Sequence, residues 1–310
     1  MNIKLDFSNK DIDKNIPMIS ISTILSQIVT PKDRNAMVEN TYNKHYNNPE
    51  SEYYHMSKEQ ILERWDNKAR TSMHYGSLLD DYIGNVLTGD DISMQLYKLD
   101  NNFDDDARLQ ELTKSFDNFY SILQKSGDTE FIDREQTVYY PVEIVNPLTH
   151  EKEQYYVKGR FDALFYNKRT KNLIIIDWKS SGSIDKTASR WTKKLLGPMQ
   201  DFFELNWVTY TTQLYFYKRA LIERYIPKDL EVNDVIVMIV NLPGKTIEET
   251  KTNFAVHNPA YQYDPELLHK TFVYGIQKYI LQREVDKKKE EEKENITQAN
   301  NNTPDLTTLF

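Results

Sequence analysis

Gly159-Arg160-Phe161-Asp162 and, a few residues on, Leu173-Ile174-Ile175-Ile176-Asp177-Trp178-Lys179 decide how this chain reads. Residues 173–176 form an unbroken apolar run, as expected of a strand buried on both faces. Asp177 closes the run and Lys179 follows two positions later, so strand alternation points both side chains to one face. Asp162 belongs to the preceding strand, joined through a short polar connection at 167–172. If the two strands pair, two carboxylates and one ammonium converge within a few ångströms. Two acids are the hard oxygen ligands that Mg²⁺ takes, with water completing its shell. Such an ion polarises a phosphoryl oxygen and activates water, and a lysine beside it can orient that water or stabilise charge on phosphorus. The combination suits phosphodiester hydrolysis. The competing reading is a buried Asp–Lys ion pair at a strand end, and Asp-x-Lys alone does not separate the two.

Outward from this stretch, the chain switches period at residue 129. Residues 137–145 (Thr-Val-Tyr-Tyr-Pro-Val-Glu-Ile-Val) predict a strand, Asn146-Pro147 a turn, and residues 154–166 two extended segments meeting at Gly159. Residues 235–240 predict a second buried strand, closed by Pro243-Gly244. Before 129 the period is helical. Ile19, Ile21, Ile24, Leu25 and Ile28 predict a short strand continuing as a short helix. Ser57 and Gln60 form a capping box opening a helix that buries Ile61, Leu62, Trp65 and Ala69, continues through Leu78 to Val86, and stops at Gly89. A further helix spans about 105–125 with Leu109, Leu112, Phe116, Phe119 and Ile122 as its stripe. Helices also read at about 202–225 and 265–285. Residues 1–56 read as a lead-in and 57–286 as the folded domain. The polar tract from Lys287 to Asn302 and the residues after it read as a disordered acidic tail.

Composition excludes several classes. The chain has 310 residues, 39% hydrophobic and 28% charged, which is enough apolar material to rule out global disorder. It contains no cysteine, which removes disulfides, thiolate zinc sites, iron–sulfur clusters and cysteine nucleophiles. No apolar run approaches the ~20 residues of a membrane span, the first residues have no apolar signal region, and a cytoplasmic location is expected. A net charge of −8 argues against a passive coat for nucleic acid, but leaves room for an enzyme with a local basic groove. There is no phosphate-cradling GxxxxGK[ST] run.

The motif GRFD…IIIDWKSS resembles the PD-(D/E)XK nuclease superfamily, in the branch holding RecB-like domains, lambda-type exonucleases and phage exonucleases. The resemblance covers about residues 57–245 and is strongest over 157–219. It implies a restriction-endonuclease-like α/β fold: a mixed sheet flanked by helices, with a helical N-terminal region. It also implies hydrolysis of DNA with Mg²⁺ or Mn²⁺ as cofactor, Asp162 and Asp177 as metal ligands, and Lys179 beside them. The exonuclease choice, and a phage or viral setting in replication, recombination or repair, rest on that branch alone. The segment from Leu196 to Tyr217 resembles the helix that follows the catalytic lysine in this branch, with the signature Gln-x-x-x-Tyr at Gln213 and Tyr217. Asn206, Tyr210, Gln213 and Tyr217 share one helix face and are expected to touch the strand, the alternative being an amphipathic helix with wet hydroxyls. Upstream, Gly76-Ser77-Leu78-Leu79-Asp80 and on to Gly84 resembles a Gly-Thr-x-x-His-x-x-x-Glu motif, with Asp80 where the histidine would stand and Gly84 where the glutamate would. Asp80 is thus either a further metal ligand or part of a solvated acidic face with Asp81. Glu143 is either a third acid of the site or an exposed strand residue.

Residues 186–194 carry four cations and an aromatic. Arg190, Trp191 and Lys193, with Arg160, are expected to contact DNA; otherwise the run is merely solvated. The last residues, Pro304 to Phe310, resemble peptides that dock on a sliding clamp or those at the tips of single-strand-binding proteins. Two other functions stay open: a non-catalytic nucleic-acid-binding protein of the same fold, which the altered Gly76–Gly84 motif favours, and a scaffold recruited to a clamp by its tail.

Overall fold

The computed structural model describes residues 3–9, 11–181, 184–247, 251–259 and 264–301, with side chains as far as Glu294. Among them, eight strands form two sheets. One has three strands in the order β1 (Met18–Ser20), β4 (Lys152–Arg160), β3 (Thr137–Val145). The other has five, in the order β2 (Thr129–Arg134), β5 (Ala163–Asn167), β6 (Asn172–Lys179), β7 (Asp234–Asn241), β8 (Ala255–His257). β1 runs parallel to β4 and β6 parallel to β7; the other pairings are antiparallel. The coarse expectation of an α/β chain with mixed sheets flanked by helices is met.

The parity of β6 sorts the core. Leu173 and Ile175 enter one apolar cluster, with α1 (Ile21–Gln27), α6 (Asn206–Ala220) and α7 (Pro265–Asn301). Ile174, Ile176 and Trp178 enter the other, with α3 (Lys58–Thr88), α4 (Asp91–Asp100) and α5 (Ala107–Gln124). Leu173, Ile175 and Ile176 are 0% exposed, the strand buried on both faces that the unbroken run predicts. Asp177 and Lys179 therefore face the α6 side at the strand's C-terminal end.

Local signals hold where they are stereochemical. Ser57 and Gln60 close the capping box of α3, and Gly89 ends that helix at φ +68°. The strand read at 137–145 is β3 residue for residue. Residues 1–56 are more than a lead-in: β1 pairs with β4, and Ile21, Ile24 and Leu25 of α1 are core residues. In the first turns of α3 only Ile61 is buried; Leu62 and Trp65 are half-buried and Ala69 is exposed. Ile122 of the α5 stripe is exposed too. α4 and β8 were not anticipated. The tract from Lys287 corrects the expectation of disorder, since α7 continues through it to Asn301. Lys and Glu are good helix formers, and ion pairs Lys288–Glu284 and Lys287–Glu291 lie four residues apart along it. The docking peptide expected at 304–310 lies outside the described residues. No helix among the described residues is long and apolar enough to cross a membrane.

Gly159 marks the corner where β4 leads toward Asp162. A Cβ there would stand 2.7 Å from the Tyr217 ring, 2.8 Å from Phe216 and 2.9 Å from Ile21. Gly159→Ala is expected to overpack this junction and cost ~1–3 kcal/mol, read as a lowered denaturation midpoint.

Candidate active site

β5 and β6 pair with Ala163 opposite Ile176. Asp162, just before that pair, comes opposite Asp177, and its Oδ2 accepts a hydrogen bond of 2.8 Å from the Trp178 backbone N–H. Asp177 is 3% exposed. Its Oδ2 lies 2.6 Å from Lys179 Nζ, yet the contact is not aligned as a hydrogen bond, so this buried oxygen is an ion-pair partner left without a directed donor. Lys179 also stands over the Tyr210 ring, 4.7 Å from its centroid. The two acids and the lysine therefore do meet on the α6 face of the sheet.

Their electrostatics follow from burial. Burial, and then the charge of Asp177, push the Asp162 carboxyl up to about 8, against the pull of Lys179. Burial likewise raises Asp177, opposed by Lys179. For Lys179, burial works to lower the ammonium's pKa, but the two carboxylates outweigh it and hold it above its usual range. Three groups whose full ionisation would leave one net negative charge thus share a proton at neutral pH.

Tyr217 is 1% exposed. Its hydroxyl donates to the Arg160 carbonyl at 2.7 Å and accepts from Gln213 Nε2 at 2.6 Å. The phenol thus holds the chain corner that presents Asp162, while Tyr217 and Gln213 line one open cleft and Tyr210 and Gln213 line a second. Those clefts, of about 360 and 420 Å³, adjoin at Ser22 and Gln213. One is lined by Lys158 and Arg160, the other by Tyr210 and Lys32. Asn206 is exposed at the start of α6.

Asp80, Gly76 and Gly84 do form a lane on α3. A Cβ on Gly76 would sit 3.7 Å from Ser180 Oγ, and one on Gly84 would sit 1.0 Å from Arg134 Nη1. Gly84 makes room for a guanidinium. Asp80 leans on it, with Oδ2 3.5 Å from Arg134 Nη2, and burial holds the Asp80 carboxyl above its ordinary range. Arg134 continues to Glu135 at 2.8 Å and Glu135 to Arg160 at 3.1 Å. Arg134 and Glu135 were missed, because charges at the last residue of a strand and in the short link after it look like solvated turn residues.

Of its two readings, Glu143 is the exposed strand residue and not a third acid of the site. It pairs with Gln154 on the other sheet, six residues along β3 from the end that meets Arg160, and forms an exposed ion pair of 2.9 Å with Lys152. Arg190, Trp191 and Lys193 are exposed, with Arg190 stacked on Trp191 at 4.6 Å; they do not enter the acidic cluster. In the same loop Lys186 lies 2.7 Å from His257 Nδ1 and over Trp207.

Among the described residues no three His, Asp or Glu side chains form a ready cage for a metal ion. Asp162 and Asp177 nonetheless fit one. Mg²⁺ is ordinarily held by one or two carboxylates, with waters and substrate phosphate supplying the rest, and the Asp177 oxygen, which has no directed donor, could exchange its ion-pair contact with Lys179 for the ion. The chain matches no protein-family model and no curated protein sequence.

Proposed function

We propose that this chain is a divalent-metal-dependent nuclease that hydrolyses DNA phosphodiester bonds, acting from strand ends. The observation that carries the reading is the convergence of Asp162, Asp177 and Lys179, with Lys179 standing over Tyr210, which lines an open cleft together with Lys32. An isolated ion pair needs one carboxylate; the second, buried against it, is destabilising unless a cation arrives. Asp162 and Asp177 would hold Mg²⁺ or Mn²⁺, which supplies an activated water and a polarised phosphoryl oxygen. Lys179 sits where it can donate to the attacking water or to the charge growing on phosphorus. Tyr217 and Gln213 keep Asp162 in place, Arg160 and Lys158 offer positive charge to the backbone, and exposed Trp191 offers a stacking face.

The test is an assay on end-labelled linear and on circular DNA with Mg²⁺, with Mn²⁺, and with chelator. Linear DNA is expected to be degraded from its ends only when the ion is present, and circular DNA to survive. Circular DNA cut as fast as linear defeats the end-directed choice. Binding without cleavage under every ion condition favours a non-catalytic nucleic-acid-binding role.

A further inference from the structure

The strand beside Lys179 ends in a buried amide whose oxygen has no hydrogen-bond partner among the described residues. β7 runs parallel to β6 with Asn241 opposite Lys179 and Ile239 opposite Asp177. Ile239 belongs to the cluster under α6 and Val240 to the opposite one. Alternation therefore puts Asn241 on the face of Asp177 and Lys179. Asn241 is 3% exposed, and its Oδ1 is buried with no hydrogen-bond partner among the described residues. Buried side-chain oxygens are rarely left so, and an interior apolar residue would fill the place at less cost. The neighbouring donor is an ammonium with three N–H groups on a flexible four-carbon stem, one strand spacing away, ~4.8 Å.

We infer that Asn241 is the second acceptor of the Lys179 ammonium. Lys179 rests on Asp177 in the metal-free protein and turns to Asn241 Oδ1 when Asp177 gives its charge to a divalent cation. The inference rests on the proposed metal-dependent reading. A cation at Asp162 and Asp177 repels the ammonium and takes its counter-charge. Without another acceptor, the half-buried Lys179 would be left without a protein partner, which weakens metal binding. Asn241 is thus a positioning residue: it keeps the amine beside the reacting phosphate while leaving Asp177 to the metal.

Calorimetric titration of Mn²⁺ alone, without DNA, compares the parent with Asn241→Leu and Asn241→Ser, alongside melting of each in chelator. Leucine fills the volume without an acceptor; serine keeps an acceptor and leaves a gap. The acceptor role predicts that Asn241→Leu binds Mn²⁺ about ten- to hundredfold more weakly, the range of a hydrogen bond to a charged group. It predicts too that Asn241→Leu melts in chelator no lower than the parent, and that Asn241→Ser binds the ion better than Asn241→Leu. Parental Mn²⁺ affinity in Asn241→Leu overturns the inference and leaves the proposed function standing. A Ser variant weaker in Mn²⁺ binding than the Leu variant also overturns it, in favour of a packing role. A parent that takes up no Mn²⁺ removes the metal reading, and this inference with it.

Discussion

Asp177→Asn and Lys179→Met each lose hydrolysis by at least ~10²-fold while the protein stays folded; that is the expected result if both side chains act on the developing charge. These substitutions are preferred to alanine because Asp177 is buried and Lys179 half-buried. Removing one partner of a buried ion pair costs ~3–5 kcal/mol, much of it from the abandoned charge. Lys179→Met keeps the stem packed near Tyr210, and Asp177→Asn keeps the shape of the carboxylate. Circular dichroism and a melting curve establish folding, and end-labelled linear DNA with Mn²⁺ reads the rate. Parental rates in both variants would remove this strand end from the chemistry.

Asp162→Asn is expected to do two opposite things: abolish hydrolysis and, in chelator, raise stability above the parent by an amount that grows with pH. The folded protein pushes Asp162 up to about 8, whereas an unfolded chain leaves an aspartate near ~4. Between these values the folded state binds more protons than the unfolded one. Parental stability therefore falls as pH rises through that window, by at most ~1.4 kcal/mol per pH unit for one proton, and the contribution is whole only on the acid side. Asparagine carries no titrating proton and still accepts from the Trp178 N–H, leaving Asp177 and Lys179 as a neutral pair. Melts of both proteins in chelator at pH 5, 6.5 and 8 should show the variant's advantage widening with pH. An advantage that stays constant across the three would mean that Asp162 is not the group holding the shared proton.

Part of this architecture was legible because it depends on local stereochemistry. A serine three residues before a glutamine, a glycine at the end of an apolar helix stripe, and four consecutive apolar residues each have few structural solutions. Ser57, Gly89 and β6 adopt them. The same alternation that made β6 readable placed Asp177 and Lys179 together, and the short connection from β5 added Asp162. What escaped depends on distant partners. Glu143 alternates correctly on β3, but nothing local says that β3 pairs within a separate sheet. Tyr217 lies on the expected helix face, but its burial is set by the chain corner at Gly159. Gly84 looked like a missing glutamate and proves to be space for Arg134, a residue on another element. Asn241 reads locally as no more than the polar end of an apolar strand. Its meaning comes from Lys179 alongside it.

The far end of α7 carries one more implication. From Asp286 to Glu294 its side chains are solvent-exposed, so this stretch keeps its shape through its own backbone and a few screened charge pairs. A helix held that way melts gradually, fraying from its tip, and each added millimolar of salt weakens its ion pairs. Ellipticity would therefore decline before the sheets give way, and amide hydrogens there would exchange rapidly while those of the buried strand β6 would exchange slowest. A single midpoint describes the two sheets with the helices packed on them and not the exposed end of α7.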